Sequence, residues 1–199
     1  MAPSHQLIYF DLPGRAEIVR VSFACGKVPF EDKRISKEEF AALKPTLPLG
    51  QVPVLKVDGV IYSQTMAMVR YASILSGIYP TDALQVLKAE SVIGCYDELA
   101  GPIVEIMHLI KDEGIKAAKT KDLVEKQCPK IIGYIQNMVS GKFFLGDKIS
   151  IADVAIFSMI DDYLAAIKEF DVSKYPKIQS IVENVKAEPN VAEYLSKRG

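Results

Sequence analysis

The chain has 199 residues, of which 25 are acidic and 24 basic, and its formal net charge is −1. This balance, without a block of like charges, argues against nucleic acid or a membrane surface as a partner. No apolar run approaches the roughly 20 residues that span a bilayer, and the N-terminus lacks the features of a signal peptide, so we expect a cytoplasmic protein without membrane insertion. The three cysteines are far apart, which indicates reduced thiols, and no cysteine or histidine cluster has the spacing of a metal site.

The first part of the chain alternates strand-like and helix-like patterns. An apolar run at Leu7–Phe10 predicts a strand, and the spacing of apolar residues predicts a helix at Arg15–Cys25. A second strand is expected at Pro29–Ile35. The capping-box sequence Ser36-Lys-Glu-Glu39 then starts a short helix that ends near Leu43.

A hairpin signal follows, in which Asp58-Gly59 separates the strand candidates Val52–Val57 and Val60–Tyr62. A helix from about 64 to 75 completes the order β-α-β-α-β-β-α. Pro53 can fix a bend at the head of the hairpin, and the free N–H groups at the start of the helix favour an anion. An ordinary hairpin that leads into a capped helix is the alternative interpretation.

Beyond Gly77-Ile-Tyr-Pro80, which interrupts the pattern, the sequence predicts only helices. Thr81-Asp82 can cap a long helix through about Asp112, and its glycines and Pro102 favour a bend. Further helices are expected at 121–139, 150–168, 174–187 and 191–197. The sequence therefore predicts an α/β domain at residues 1–78 and an all-α domain at residues 81–199.

A second capping-box sequence, Ser150-Ile-Ala-Asp153, lies at the start of one of these helices. Ser150 can occupy the N-cap position, and Asp153 can return a bond from the third helical position. We interpret the motif as a folding signal for the buried helix at 151–159 and not as a chemical site. Loss of the Ser150 side chain is expected to cost about 1 kcal/mol.

Tyr9 stands at the end of the first predicted strand, where α/β sheets present groups to ligands. A phenol there can donate a hydrogen bond to a thiolate, and each pKa unit gained by the anion corresponds to about 1.4 kcal/mol. Arg15 lies in the first turn of the next helix, where its cation can support the same anion. A tyrosine in the core and a solvated arginine are the alternatives.

An ordered set of motifs runs along nearly the whole chain. It comprises Tyr9-Phe10-x-x-x-Gly14-Arg15-Ala16-Glu17-x-x-Arg20, Gln51-Val-Pro-Val-Leu55, Asp58-Gly59, Ser63-Gln64-Thr65-x-Ala67-x-x-Arg70-Tyr71 and Ser150-Ile-Ala-Asp153. Each motif is weak alone, but in this order the set is specific, and the chain resembles a cytosolic glutathione S-transferase of the sigma class, which includes prostaglandin D synthase-like members. The resemblance implies a thioredoxin-like N-terminal domain, an all-helical C-terminal domain, a homodimer and glutathione as co-substrate.

The resemblance also implies roles for individual residues. Tyr9 activates the glutathione sulfur and Arg15 supports the thiolate, while Val52 pairs its backbone with the glutathione cysteine ahead of a cis Pro53. The full glutathione-binding set is Tyr9, Phe40, Lys44, Gln51, Val52, Pro53, Gln64, Thr65 and Asp97 of the partner subunit. Phe40 stands where many sigma-class members have a tryptophan that donates to the glycyl carboxylate, and phenylalanine cannot donate.

A site for the hydrophobic substrate is expected between the loop after the first strand and the long helix. Its residues are Phe10, Leu12, Pro13, Val104, Met107, His108 and Tyr163. The implied reaction conjugates glutathione thiolate to small hydrophobic electrophiles, which is detoxification chemistry without a metal. Two alternatives stay open: a glutathione-dependent prostaglandin D isomerase, and a non-enzymatic relative such as a lens crystallin or a ligand carrier. The chain has no tryptophan, so the aromatic pocket wall of some vertebrate prostaglandin synthases is absent.

Overall fold

The N-terminal part of the chain forms a four-stranded mixed sheet in a computed structural model that describes residues 3–198. The strands are β1 (His5–Phe10), β2 (Glu31–Ile35), β3 (Val54–Val57) and β4 (Val60–Tyr62), in the spatial order β2-β1-β3-β4. β1 runs parallel to β2 and antiparallel to β3, and β3 is antiparallel to β4. Because Ile8 pairs with Val54, the next residues along these two strands, Tyr9 and Pro53, are neighbours.

Three helices complete the predicted β-α-β-α-β-β-α order: α1 (Gly14–Cys25), α2 (Lys37–Leu43) and α3 (Thr65–Leu75). The capping box of α2 is confirmed, since Ser36 Oγ accepts the Glu39 N–H at 3.1 Å and the Glu39 carboxylate accepts the Ser36 N–H at 2.7 Å. The hairpin is confirmed as well. Asp58 and Gly59 both have positive φ values, of 47° and 90°, as a tight two-residue hairpin turn requires.

The rest of the described chain is helical, as predicted. The helices are α4 (Ala83–Val104), α5 (Glu113–Asp122), α6 (Cys128–Met138), α7 (Ile151–Phe157), α8 (Pro176–Ala187) and α9 (Pro189–Lys197). Wider π-helical turns extend α4 through Glu105–Leu109, join α5 to α6 through Leu123–Gln127 and extend α7 through Ser158–Tyr163.

The helix predicted at 121–139 is wrong at its start, and the predicted end of the preceding helix at Asp112 is wrong too. Asp112 is the N-cap of α5, and its side chain accepts the Ile115 N–H at 2.9 Å. The Lys-rich first turns of α5 carry few apolar residues, so their periodicity is weak. The capping residue Asp112 is the sequence feature that indicates where this helix begins.

One hydrophobic core extends from the sheet through α1 into the helical part of the chain. Leu7 and Tyr9 of β1 point into this core, while Ile8 points to the opposite face of the sheet, as the alternation of a strand requires. The two parts also share a backbone bond, from the Ile151 N–H to the Ile78 oxygen at 3.0 Å. The boundary between them at residues 78–81 stays a prediction.

The three cysteines carry free thiols. Burial, helped by the nearby Glu188 carboxylate, raises the pKa of Cys25 to about 12, and burial raises the pKa of Cys128 to about 11. Burial also raises the pKa of Cys95. Because the thiolate is the reactive form, these thiols are poor nucleophiles.

Candidate active site

Tyr9 lies near the end of β1 and is 8% exposed. Its hydroxyl oxygen accepts a hydrogen bond from the backbone N–H of Arg15 at 3.3 Å, across the loop that leads into α1. The hydroxyl proton has no acceptor among the side-chain bonds found in residues 3–198, so it is available for donation to a ligand. An accepted bond at the oxygen also strengthens the hydroxyl as a donor.

Gly14 makes this approach of loop and phenol possible. Its φ is +46°, and a Cβ at this position would lie 2.8 Å from the Tyr9 Oη and 2.6 Å from Leu12 Cδ1. We expect Gly14→Ala to displace the tyrosine and to destabilise the fold by about 1–2 kcal/mol. The measurements are urea unfolding and glutathione conjugation. Gly94→Ala is the matched control, because Gly94 is helical with nothing within 4 Å of an added Cβ, and it should be neutral or stabilising.

A cavity of about 220 Å³ lies next to Tyr9, between the sheet domain and the helical part. Four of its residues have predicted roles: Arg15 beside the thiolate, Thr65 at glutathione, Asp97 at the glutathione of the partner subunit, and Tyr163 at the hydrophobic substrate. The full lining is Arg15, Thr65, Met66, Tyr96, Asp97, Ala100, Gly101 and Tyr163. Thr65 opens α3, so the unpaired N–H groups at the start of that helix lie at this cavity. The arrangement offers cationic and N–H groups to an anion.

Gln64 precedes α3 in an unusual backbone conformation, with φ at +79°. Its carbonyl oxygen accepts the N–H groups of Ala67 and Met68, both at 3.1 Å. A positive φ at a residue other than glycine costs of order 1–3 kcal/mol, and such residues cluster at active sites and ligand clamps. The Val52–Pro53 peptide, directly before β3, is cis as predicted.

Phe40 lies between Phe10 of β1 and Lys44, at the predicted glycyl-carboxylate end of the site. Its ring packs edge-on against Phe10 with centroids 5.3 Å apart, and the Lys44 ammonium lies 6.0 Å from the Phe40 centroid. The Lys44 side chain in turn lies beside Gly50, next to the exposed Gln51. Phe40 thus supplies an apolar surface, and Lys44 supplies the charge that a carboxylate needs.

Asp97 brings a carboxylate to the lining of this cavity, and Arg15 brings a cation. Partial burial raises the pKa of Asp97, and the guanidinium groups of Arg15 and Arg70 oppose this shift. Arg70 forms a two-pronged ion pair with Glu90 of α4, which also accepts the Tyr79 hydroxyl at 2.9 Å. This pair fixes α3 against α4 beside the cavity.

Tyr96 was missed by the sequence analysis. Its ring meets Tyr163 edge-on with centroids 5.7 Å apart, and both side chains are almost fully buried. Burial raises the pKa of each of these tyrosines. Tyr96 and Ala100 are four residues apart in α4, and so are Asp97 and Gly101. This helical spacing places all four on the side of α4 that lines the cavity.

Four of the seven residues predicted for the hydrophobic-substrate site line three different cavities, and Phe10, Val104 and His108 line none of the three. Tyr163 lines the cavity that holds Arg15, whereas Leu12 and Pro13 line one of about 590 Å³ beside α9. Met107 lines a third, of about 400 Å³, between the end of α4 and α5. Val104 is half-buried and His108 is exposed in the same segment as Met107.

Within residues 3–198, no three histidine, cysteine or carboxylate side chains are arranged to hold a metal ion. Nor is any helix in that range both long and apolar enough to cross a membrane.

Two family models cover most of the chain: the glutathione S-transferase N-terminal domain matches residues 5–73, and the glutathione S-transferase C-terminal domain matches residues 98–198. A glutathione S-transferase of Anopheles gambiae is 32% identical over 200 residues, which cover 98% of this chain and 97% of the relative. The chain belongs to the glutathione S-transferase family. A second relative is the hematopoietic prostaglandin D synthase of Gallus gallus. It is 30% identical over 199 residues, which cover 98% of this chain and 97% of the relative.

The solved structure of a Fasciola hepatica sigma-class glutathione S-transferase superposes on the chain with a TM-score of 0.88. Sequence identity is 27%, and the match covers 99% of this chain and 97% of the other. The thioredoxin-like N-terminal domain and the helical C-terminal domain are therefore those of the glutathione S-transferase fold.

Proposed function

We propose that this chain is a sigma-class glutathione transferase that conjugates glutathione to small hydrophobic electrophiles, as a cytoplasmic detoxification enzyme. The observation that carries the proposal is the Tyr9 hydroxyl, which is held at 3.3 Å by the Arg15 N–H beside the cavity lined by Arg15, Thr65 and Asp97. A phenol proton aimed at the sulfur favours the thiolate over the thiol.

The proposed reaction is nucleophilic substitution or addition by the glutathione sulfur. The thiol proton passes to solvent. The sulfur anion then accepts a hydrogen bond from Tyr9 and is stabilised by the positive charge of Arg15. The thiolate attacks the electrophilic carbon, so a C–S bond forms. With an aryl halide the C–halogen bond breaks and halide leaves with the electron pair. The protein contributes the lowered thiol pKa and the alignment of sulfur and carbon.

The proposed binding mode places the γ-glutamyl end of the peptide at the start of α3. Gln64 and Thr65 present N–H groups and a hydroxyl to its carboxylate, and the backbone of Val52 before Pro53 pairs with the cysteinyl unit. Lys44 and Gln51 lie at the glycyl end, with Phe40 beneath them. The proposal is supported by Thr65, which lines the cavity beside Tyr9, and by Lys44, Gln51 and Gln64, whose side chains are exposed.

A generic assay tests the proposal and separates it from a crystallin-like or carrier role. Glutathione and 1-chloro-2,4-dinitrobenzene are incubated with the purified chain, and formation of the thioether is followed by absorbance. We expect saturable turnover above the uncatalysed rate. A chain that binds glutathione without turning it over would fit the carrier alternative and contradict the enzyme.

The same proposal includes a homodimer in which Asp97 of each chain reaches the γ-glutamyl ammonium of the partner's glutathione. The free edge strand β4 and the first turns of α4 expose large apolar side chains, and Leu84 and Leu87 are 58% and 63% exposed. Burying such side chains against a second copy is favourable by about 1.5–3 kcal/mol each.

Substitution at this surface tests the dimer. We expect Leu87→Asp to shift the molar mass in solution toward that of one chain and to raise the KM for glutathione, because Asp97 leaves the partner's site. Light scattering after size exclusion reads the mass. Leu109→Asp is the control: it introduces the same charge at a leucine that is 68% exposed, in the turn after α4. A wild-type chain of monomeric mass with full activity would contradict the shared site.

Isomerisation of a prostaglandin endoperoxide to prostaglandin D is the second candidate function. It is favoured by the relative named hematopoietic prostaglandin D synthase, which is 30% identical along nearly the whole chain. The first-site chemistry would be the same, with the glutathione thiolate regenerated at the end of each cycle. Product analysis after incubation with the endoperoxide decides, because prostaglandin D above the spontaneous yield is expected only for the isomerase.

A further inference from the structure

A buried network of charged groups links the residue after α9 to the loop that follows Tyr9. Its centre is Glu17 on α1, whose side chain is fully buried. Glu17 Oε2 accepts a bond from Arg20 Nη1 at 3.1 Å, and Glu17 Oε1 accepts one from Arg198 Nη1 at 2.7 Å. The Tyr194 hydroxyl donates to the same Oε1 at 2.9 Å. Side chains nearly 180 residues apart therefore share one buried carboxylate.

Arg20 extends the network to the loop. Its fully buried side chain donates from Nη1 to the carbonyl oxygens of Leu12 at 3.0 Å and of Pro13 at 3.2 Å. Its Cζ also lies 5.9 Å from the centroid of the Tyr9 ring, within cation–π range. A buried guanidinium that loses a carboxylate partner becomes an uncompensated charge, so its position depends on that of its partners. The placement of Glu17 is thereby coupled to the backbone between Tyr9 and the first turn of α1.

Arg198 is the cation that stands between Glu17 and two further acids. Its Nη1 lies 3.4 Å from Asp162 Oδ1, and its Nη2 lies 3.7 Å from Asp161 Oδ2. Asp161 is also paired with Lys186 at 2.6 Å. Burial, with the charge of Glu17 added, raises the pKa of Asp162 to about 7, and the Ser158 hydroxyl and Arg198 oppose that shift. On the other side, Arg20 shares Asp32 of β2 with Arg34.

We infer that Arg198 is a positioning residue for thiol activation. It acts through Glu17 and Arg20 to hold the Leu12-Pro13 loop, which places the Arg15 N–H against the Tyr9 hydroxyl. The inference rests on the proposed transferase function. Without the Arg198 cation, Glu17 keeps only Tyr194 on Oε1 and faces Asp162 directly. The Glu17–Arg20 pair then rearranges, the two loop carbonyls lose their shared donor, and the phenol is no longer held against the sulfur.

The test compares Arg198→Gln with Lys197→Gln. Lys197 is the adjacent cation, but its partner is the exposed Glu193 at 2.6 Å, outside the network. The thiolate of enzyme-bound glutathione is titrated by ultraviolet absorbance, and kcat and KM are measured with 1-chloro-2,4-dinitrobenzene between about pH 6 and 9. We expect R198Q to raise the pKa of the bound thiol by about half to one unit, which lowers kcat about three- to tenfold below that pKa.

Three features separate positioning from a loss of stability. The kcat of R198Q should recover at high pH, the KM for glutathione should change less than about twofold, and R198K should restore part of the shift because it returns the charge. K197Q should match wild type. Tyr194→Phe, which removes one bond to Glu17 and keeps the ring, should shift the thiol pKa in the same direction by less, and it serves if R198Q does not fold.

The inference would be overturned if the bound thiol of both R198Q and Y194F had the same pKa as in the wild-type chain. A kcat that falls by the same factor at every pH would overturn it as well. A wild-type chain that forms no conjugate with any electrophile contradicts the proposed function itself, and the role of Arg198 falls with it.

Discussion

Replacing Tyr9 with phenylalanine is expected to lower the rate of conjugation about 10- to 100-fold near neutral pH, because the thiolate loses a hydrogen bond worth one to two pKa units. Phenylalanine keeps the ring in the core, where Tyr9 is 8% exposed, so the fold should be retained. Glutathione contacts other groups along its length, and its KM should therefore change less than about threefold. The measurement is kcat and KM over a pH series.

The pH dependence is the diagnostic part of this prediction. If Tyr9 acts on the thiol, the deficit of the variant should shrink as the pH rises toward the pKa of the free thiol, near 8.5. Tyr134→Phe is the control, since Tyr134 is 47% exposed on α6, away from the cavity. Equal activity of Tyr9→Phe and wild type would remove Tyr9 from the mechanism.

The largest effect on stability is expected from Asp153→Ala. The Asp153 side chain is buried and accepts three bonds, from the Phe144 N–H at 2.6 Å, the Ser150 N–H at 2.8 Å and the Ser150 hydroxyl at 2.7 Å. Alanine leaves two buried backbone N–H groups without an acceptor, at about 1–3 kcal/mol each, so a loss of about 3–5 kcal/mol is expected. Denaturant unfolding at matched protein concentration measures it.

Ser150→Ala is the matched control for Asp153→Ala, with an expected loss of about 1 kcal/mol. Burial raises the pKa of Asp153 to about 6, and its hydrogen bonds oppose this. A carboxyl with a raised pKa holds its proton in the folded state, so its contribution to stability declines as the pH rises through about 6. The difference between wild type and Asp153→Ala should therefore be larger at pH 5 than at pH 8. Equal losses in the two variants would contradict the central position of Asp153.

Features with a local cause could be predicted from the sequence. The Asp58-Gly59 turn, the capping box of α2 and the position of Tyr9 on β1 each depend on residues that are neighbours in the chain. The bond that the Ser150 N–H donates to the Asp153 carboxylate is of the same kind, and the structure contains it. The bond that the Phe144 N–H donates to Asp153 joins residues nine positions apart, and no local sequence pattern predicts it.

Features that depend on tertiary packing could not be predicted. Tyr96 has the pattern of an ordinary core residue of α4, and only the fold brings it to the cavity with Arg15. Glu17 and Arg198 have no relation in sequence, because their bond exists only once α9 packs against α1. The start of α5 was predicted wrongly for a different reason, because the lysine-rich turns at its beginning lack an apolar stripe.

Titration of the glutathione thiol on the wild-type chain and on Tyr9→Phe tests thiol activation most directly. The absorbance of the thiolate is followed between about pH 5 and 10 with the chain in excess over glutathione, against a sample of free glutathione. We predict that the bound thiol of wild type is half ionised at least one unit below the free thiol, whose pKa is near 8.5, and that Tyr9→Phe moves this midpoint back up. A bound thiol that titrates like free glutathione in the wild-type chain would contradict activation by Tyr9.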